Sequence, residues 1–237
     1  MTSNLISLVL PVYFQADHID KVVKEYDQIL QRLRLQYEMI LVVNGAGDES
    51  LKKCDNLAKE YANVQVVYIR QSGWGRAVRA GLKECKGDLV CYANSARTSA
   101  KDLLLILTYA IAYPDVVIKA NRESRDSWQR RIGSWLYNIE CRTLFNLPYW
   151  DINGTPKIFP RSFNKLLSLT ANDDLIDLEF NLICRSENYP VIEVPIFYSK
   201  RQGGRSTTNY YSAFKLYLGA YKIWQEKRRQ DERKKKT

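Results

Sequence analysis

The chain has 237 residues, of which 46% are hydrophobic and 26% charged, a composition that predicts a globular protein with a substantial core and excludes disorder except at the ends. No run approaches the roughly 18 consecutive apolar residues of a spanning helix, and residues 5–10 resemble a strand rather than a signal peptide, so we expect a cytoplasmic protein. The five cysteines are scattered without a CxxC pair, which argues against a disulfide framework and a zinc site.

Apolar, β-branched runs alternate with helical patterns through the first half of the chain. Strands are predicted near residues 6–10, 39–43, 64–69, 89–93 and 116–118, and helices near 17–35, 49–61, 76–85 and 99–112. This βαβα order is typical of an α/β protein with a parallel sheet covered by helices. Ligands bind at the carboxyl ends of such strands, so the candidate site comprises the loops that begin at Pro11, Asn44, Gln71 and Asn94.

The second half of the chain has a less regular pattern. A helix is predicted over 128–145, followed by an irregular stretch over 147–161, a helical segment over 173–187 and a strand over 191–198. A glycine-rich basic loop and a last helix over about 209–225 follow. No linker rich in proline, glycine or serine separates these elements, so we expect a single domain over 1–208 and a helix with a polybasic tail over 209–237.

The net charge of +10 is unevenly placed, because residues 227–236 carry seven cations and two anions. The last helix has a polar stripe that includes Gly219 and a face formed by the aromatic residues Tyr210, Phe214, Tyr217, Tyr221 and Trp224. Such a helix either lies on an anionic membrane surface, here the inner face of a membrane, or packs on the core. A basic chain also attracts nucleic acid, but no nucleic-acid-binding motif is recognisable, so nucleic acid is not expected as a partner.

Several motifs, in the expected order, resemble those of the family 2 glycosyltransferases, and within them the dolichyl-phosphate mannose synthases and related polyprenyl-phosphate sugar transferases. The segment "LVLPVYFQADHI" resembles PxYNExxxI and keeps Pro11 and Tyr13, with Gln15 at the glutamate position. The segment "YEMILVVNGAGDES" resembles yEIIVVDDGSxDgT, with Val43 and Asn44 in place of two aspartates.

The resemblance continues to about residue 206. The segments "RQSGWGRAVRAGLKECKGDLV", "DINGTPKIFPR", "LIDLEF" and "YPVIEVPIFYSKRQGGRST" resemble later motifs of the family and keep, among others, Gly73, Gly75, Asp151, Lys157, Asp177 and Arg201. The resemblance implies a GT-A fold, in which a nucleotide-binding half with a central, mostly parallel sheet merges with an acceptor-binding half. It also implies transfer of a sugar, with inversion, from a nucleotide-diphosphate donor to a lipid phosphate or a saccharide.

The nucleotide-sugar site is expected at the strand ends. Tyr13, Gln15 and Asn44 offer a flat, partly apolar slot with hydrogen-bonding groups. Two glycines open a helix whose amino end attracts phosphate, with Arg76 on its first turn. The residues assigned to this site are Pro11, Tyr13, Gln15, Asn44, Gly73, Gly75, Arg76, Asn94 and Ser95.

The metal-binding DxD position of the family is altered in this chain, where it reads Asn94-Ser95-Ala96. The resemblance implies Mg²⁺ or Mn²⁺, which would neutralise the diphosphate leaving group. Neutral asparagine and serine bind a hard divalent ion poorly, so we expect no tightly bound metal here and assign no cofactor.

Arginines can neutralise a diphosphate in place of a metal, because a guanidinium group binds phosphate as a permanently charged, bidentate fork. Arg97 directly follows the altered motif. The resemblance assigns phosphate roles most closely to Arg122, to Arg130 with Ser134, and to Arg201, and further candidates are Arg131 and Arg205. The alternative for all of them is a solvated surface charge.

A lipid-phosphate acceptor is already ionised at pH 7 and needs no general base, whereas a hydroxyl acceptor needs one. Asp177 is the first candidate base and Asp151 the second, and both are equally suited to structural roles. A second hypothesis is a degenerate transferase that keeps the fold as a binding or scaffold module. The lost aspartates favour it, whereas the retained Asp151, Asp177 and Arg201 favour an enzyme.

Overall fold

The computed structural model describes residues 5–33, 35–45, 49–123, 128–197 and 210–234, and at 128–130, 210–213, 231 and 234 it describes the backbone alone. The strands are β1 Ile6–Val12, β2 Tyr37–Asn44, β3 Val64–Ile69, β4 Leu89–Tyr92, β5 Val117–Arg122, β6 Lys157–Pro160 and β7 Val191–Ile196. The helices are α1 Ile19–Arg32, α2 Ser50–Glu60, α3 Trp74–Glu84, α4 Ala100–Ala112, α5 Trp128–Phe145, α6 Ile176–Ser186 and α7 Tyr210–Lys234, with a 3₁₀ helix at Asn164–Ser168.

The strands form one sheet in the order β3-β2-β1-β4-β6-β5-β7. Strands β1 to β4 are mutually parallel, and in this register Val9 of β1 lies between Ile40 of β2 and Tyr92 of β4. Strand β6 is antiparallel to both of its neighbours, while β5 and β7 pair in parallel. The predicted α/β fold with a mostly parallel sheet is therefore confirmed.

Helices cover both faces of the sheet, so the inner strands are apolar on both sides. Along β1, Leu8 and Leu10 pack with buried residues of α1, α2 and α4, whereas Val9 faces the opposite side and packs with α3 and α6. The four parallel strands end at one edge, and the loops that follow them meet there. This arrangement brings together the loops in which the sequence places the donor site.

Strand β6 is the main element that the sequence analysis missed, because it lies in the stretch over 147–161 that was predicted to be irregular. It has four residues, and its apolar pair Ile158 and Phe159 is fully buried between β4 and β5. Such a short apolar run has too little periodicity to predict a strand. Strand β5 is also longer than predicted, since it continues to Arg122.

Helix α7 extends through most of the polybasic run, beyond its predicted end near residue 225. It packs against α5, where Tyr217 donates a hydrogen bond to the Gly133 carbonyl and its ring meets Tyr137 edge to face at 5.6 Å. Gly219 was placed on a polar stripe, which is wrong, because a Cβ atom there would lie 2.5 Å from Leu175 Cδ1. The helix is docked on the core along this side.

Candidate active site

A buried polar network joins the end of β1 to the loop after β4. The Ser95 hydroxyl lies 2.7 Å from Gln15 Oε1 and 3.1 Å from the Pro11 carbonyl oxygen. The Gln15 amide nitrogen lies 3.4 Å from the same Pro11 oxygen, and its backbone N–H donates to Ser50 Oγ at 3.0 Å. Ser95 is fully buried and Gln15 is 5% exposed. The hydrogen-bonding groups of both side chains are therefore used within the protein.

Asn44 connects the ends of β1 and β2 to the loop before α3. Its amide nitrogen donates to the Val12 carbonyl at 2.9 Å, and its amide oxygen accepts from the backbone N–H of Gly73 at 3.1 Å. An aspartate could accept from Gly73 but could not donate to Val12. The asparagine at this position is thus matched to two backbone partners.

The glycines before and within α3, which the sequence assigned to the nucleotide-sugar site, lie close to another segment of the chain. Gly73 has a φ of +149°, which residues with side chains rarely adopt. At Gly75, a Cβ atom would lie 2.5 Å from the Ala171 oxygen and 2.6 Å from the Asp173 oxygen. Arg76 N–H also donates to the Asn172 oxygen at 3.1 Å. The observed partner at Gly75 is therefore the 171–173 segment of the chain itself.

The altered motif over residues 94–96 does not suit a metal ion. Asn94 is half-buried and its side-chain oxygen accepts from the Ala96 N–H at 3.2 Å, while Ser95 and Ala96 are buried. None of the three carries a carboxylate, the ligand that Mg²⁺ and Mn²⁺ favour. Across the described ranges, no group of three or more His, Cys, Asp or Glu side chains could hold a metal.

Arg122, expected to bind phosphate, instead forms a bidentate ion pair with Asp151. Its Nε and Nη2 atoms donate to the two carboxylate oxygens at 2.7 and 2.8 Å, and its backbone N–H donates to the same group at 3.1 Å. Burial opposes the charge of Arg122, but the Asp151 carboxylate outweighs burial and raises the pKa of the guanidinium. Asp151 is 2% exposed, so its charge is compensated inside the protein rather than presented as a base.

Asp177 is also paired, although the sequence made it the first candidate base. Its carboxylate accepts from Trp74 Nε1 at 3.0 Å, from the Tyr92 hydroxyl at 2.9 Å, and from the Lys157 ammonium group. Burial lowers the pKa of Lys157 to about 8, although Asp177 favours its charged form. Trp74 lies between Gly73 and Gly75 at the start of α3, so its hydrogen bond to Asp177 joins the start of α3 to the start of α6.

A row of buried charges crosses three adjacent strands next to these pairs. Lys157 of β6 lies directly opposite Lys119 of β5, which in turn lies opposite Glu193 of β7. Both lysines are fully buried. Like charges at facing positions repel, but each lysine has its own acid, since Lys119 Nζ lies 3.1 Å from Glu193 Oε1 and Lys157 pairs with Asp177. The network balances three cations with three carboxylates: Lys119, Arg122, Lys157, Asp151, Asp177 and Glu193.

The remaining predicted site residues are dispersed or undescribed. Tyr13 is half-buried at the end of β1, its ring 4.7 Å from that of Phe14, and Arg97 is half-buried after the altered motif. On α5, Arg131 is exposed and Ser134 half-buried. The side chains of Arg130 and Tyr210, and the whole of Arg201 and Arg205, lie outside the described residues. Their assigned roles stay predictions.

Helices α5 and α7, which pack against each other, both carry exposed apolar side chains, here together named the apolar face. Its members are between 38% and 59% exposed and comprise Ile132, Trp135, Leu136, Ile139, Phe214, Leu218 and Tyr221. Helix α5 also supports the ion-pair network, because Asn138 accepts from the Ile152 N–H at 3.2 Å, next to Asp151. The apolar face therefore lies on the helix that buttresses the 150–152 segment. Along the described helices, none is both long and apolar enough to cross a membrane.

Sequence reasoning missed Lys119, Asn181 and Glu193 as members of one network, and it gave Lys157 no role. A signal was present, since Lys119 lies within the largely apolar segment "VIKAN" and Lys157 begins the segment "KIFP". Buried lysine is rare unless it is paired, so these positions indicate acids elsewhere in the chain. Which acids they are depends on the pairing of β5 with β7, which places Glu193 beside Lys119, and on the docking of α6, which places Asp177 beside Lys157.

Comparison with known proteins agrees with this architecture. The model of the family described as "Glycosyl transferase family 2" matches residues 7–167, more than half of the chain. Curated relatives include the undecaprenyl-phosphate 4-deoxy-4-formamido-L-arabinose transferases of Pseudomonas fluorescens (strain Pf0-1) and Proteus mirabilis (strain HI4320). Both are 25% identical to the chain, over 207 and 218 residues, which cover 86% and 90% of it. These matches cover 60% and 64% of the relatives, so the chain spans less than two thirds of their length.

Solved structures show the same fold at lower identity. Glucosyl-3-phosphoglycerate synthase from Mycobacterium tuberculosis, in complex with Mn²⁺, uridine diphosphate and glucosyl-3-phosphoglycerate, superposes with a TM-score of 0.70 at 13% identity. The match covers 93% of this chain and 80% of that one. At this identity the similarity establishes the fold alone.

Proposed function

Because the chain belongs to glycosyl transferase family 2, we propose that it transfers a sugar from a nucleotide-diphosphate donor to a polyprenyl phosphate at a membrane surface. The curated relatives named above are transferases to undecaprenyl phosphate, and they support this acceptor class. The proposal covers the donor, the acceptor, and the place where the reaction occurs.

The apolar face is the observation that best supports a lipid acceptor. Exposed apolar patches of this kind mark protein or membrane contacts. Two packed helices present Trp135, Phe214 and Tyr221 with aliphatic neighbours, and exposed cations, among them Arg131, Lys215 and Lys222, lie on the same helices. Aromatic and aliphatic side chains enter the headgroup region, while cations attract anionic lipids. The chain would thereby hold the 150–152 segment near the lipid surface.

The chemistry that we propose requires no general base. A phosphate oxygen of the acceptor attacks the anomeric carbon as the bond from that carbon to the donor diphosphate breaks, and the nucleoside diphosphate leaves with the bonding electrons. The acceptor oxygen is already ionised, so no proton moves. The pairing of Asp177 with Lys157 supports this route, because its carboxylate already accepts hydrogen bonds from Trp74, Tyr92 and Lys157 within the protein.

We infer that donor binding does not depend on a divalent ion at residues 94–96. The neutral Gln15–Ser95 pair, which is hydrogen-bonded within the protein, supports this inference. The charge of the diphosphate would then be met by cations of the chain, with Arg97 nearest in sequence to the altered motif.

A test of donor binding also distinguishes the enzyme hypothesis from that of a degenerate scaffold. Calorimetric titration with a panel of nucleotide sugars should show binding to at least one donor in excess EDTA. Tyr13→Ser at the strand ends should weaken that binding. Tyr113→Ser is the matched control, because Tyr113 is 49% exposed and directly follows α4, at the opposite edge of the sheet. Failure of every donor to bind would favour the scaffold.

Membrane association is tested by sedimentation with anionic vesicles. Replacing Ile132 and Leu136 of the apolar face together by serine should release the protein from vesicles. The matched control replaces Leu105 and Ile111, which are similarly exposed on α4, by serine and should sediment like the wild type. Equal sedimentation of both double variants would remove the argument for a membrane. If the wild type dimerises without lipid and only the first double variant does not, the apolar face instead binds a second copy of the chain.

A further inference from the structure

A basic cavity of about 490 Å³ lies in the groove between the end of β3 and the outer side of α3. Four of its lining residues are cationic, namely Arg70, Arg76, Arg79 and Lys83, and none of its lining residues is acidic. Volumes of about 300–1,000 Å³ are typical of small-molecule sites. The groove therefore has the size of a ligand site and the charge of an anion site.

The charges gather because of the spacing along α3. Ala77, Val78 and Leu82 face the sheet and are buried, which directs residues 76, 79 and 83 to the opposite side of the helix. Like charges three to four residues apart destabilise a helix. Within the part of the chain that the structure describes, no salt bridge offsets the charge of any of the four. An anionic ligand would offset it.

The guanidinium groups are held in place with donors to spare. Arg79 Nη1 donates to the Asn172 side-chain oxygen, while its Nε is buried without a hydrogen-bond partner among the described residues. Arg76 Nη1 donates to the Ser72 carbonyl at 3.2 Å. A buried N–H without a partner is costly, and a guanidinium that is already oriented binds phosphate through two parallel hydrogen bonds. Both features point to a phosphate group as the missing partner.

We propose that this groove binds a soluble phosphorylated small molecule carrying at least two negative charges, at a site separate from the Gln15–Ser95 network and from the buried charge network. The lining contains no aromatic side chain, so it lacks the stacking platform of a single-stranded nucleic-acid site. None of the exposed large apolar side chains found among the described residues, which would accompany a lipid headgroup, lines the groove. The groove includes Arg76, which the sequence assigned to the nucleotide-sugar site, and its test is a binding measurement that requires no sugar transfer.

Inorganic pyrophosphate is the probe, and acetylation of lysine side chains read by mass spectrometry locates it. Pyrophosphate should protect Lys83 from acetylation several-fold and leave Lys59 of α2 unprotected. Phosphatidylglycerol vesicles form the second arm. Protection of Lys83 by vesicles alone would overturn the soluble ligand, and protection by neither probe would overturn the site.

Calorimetry on the full chain gives the affinity. The double variant Arg79→Gln and Lys83→Gln should bind pyrophosphate at least about tenfold more weakly, because it removes two charged hydrogen-bond donors from the groove. The control Lys52→Gln and Lys59→Gln removes two exposed cations from α2 and should change affinity less than twofold. Glutamine preserves helix propensity, and a thermal melt of each variant checks that it is folded. Equal losses in both variants would show attraction by net charge alone and refute the site.

Discussion

Replacing Asp177 by asparagine should destabilise the protein strongly. The substitution keeps the size of the side chain and removes only its charge. Lys157 is fully buried, and its other hydrogen-bond partner is the Ile152 carbonyl at 3.2 Å. Its ammonium group would be left without a counter-charge in the interior.

The expected magnitude follows from the burial of both partners. Asp177 is 4% exposed and Lys157 is not exposed at all, so solvent screens the pair little. Removing one member of a buried ion pair costs about 3–5 kcal/mol, a large part of the roughly 5–15 kcal/mol that stabilises a typical domain. Lys157→Met, of similar length, should cost a comparable amount because it leaves the carboxylate with only Trp74 and Tyr92 as donors.

The double variant, Asp177→Asn with Lys157→Met, provides the decisive comparison. Urea unfolding of the wild type, both single variants and the double variant completes a thermodynamic cycle. The double variant should lose at least about 1.5 kcal/mol less than the sum of the single losses, because it leaves no unpaired charge. Additive losses would refute the pairing, and an Asp177→Asn variant of wild-type stability without transfer activity would restore Asp177 as a base.

Two further predictions concern packing and pH. Gly75→Ala should lower the free energy of unfolding by about 1–3 kcal/mol, because its Cβ would lie 2.5 Å from the Ala171 oxygen. The control Gly133→Ala in α5 has open space around it and should be neutral or stabilising by up to about 1 kcal/mol. Equal urea midpoints for the two variants would contradict the close approach at Gly75. Stability should also fall between pH 9 and pH 10.5, because burial raises the thiol pKa from 9.0 to about 12 at three cysteines, Cys85, Cys141 and Cys184. The unfolded thiols lose protons that the folded ones keep, at about 1 kcal/mol per thiol and pH unit, while Lys157, with its pKa lowered to about 8, contributes one smaller effect of opposite sign. Thermal melts across this range check the sign, and a midpoint that rises with pH would contradict it.

The first half of the fold could be predicted because each of its elements carries its own signal. Strands β1 to β4 are predominantly apolar runs, and the helices between them are long enough to show a 3.6-residue period. The parallel order of these strands then brings their carboxyl ends to one edge. The position of the candidate donor site follows from this rule without knowledge of any side-chain contact.

The state of the site residues could not be predicted, because it depends on contacts between distant segments. Arg122 and Asp151 are 29 residues apart, and they were predicted to have separate roles, whereas the structure joins them in one ion pair. The hydrogen bond from Trp74 to Asp177, which are 103 residues apart, likewise could not be predicted from the sequence. Single residues suggest where the chemistry should lie, but their ion pairs depend on the pairing of β5 with β7 and on the docking of α6.

We propose that this chain transfers a sugar to a polyprenyl phosphate without a divalent ion at residues 94–96. To test this directly, the protein is incubated in excess EDTA with nucleotide sugars and with anionic vesicles that contain a polyprenyl phosphate. The mass of the lipid is then determined by mass spectrometry. We expect the polyprenyl phosphate to gain the mass of one sugar residue and a nucleoside diphosphate to be released. A product that forms only when Mn²⁺ or Mg²⁺ replaces EDTA, or no product with any donor, would contradict it.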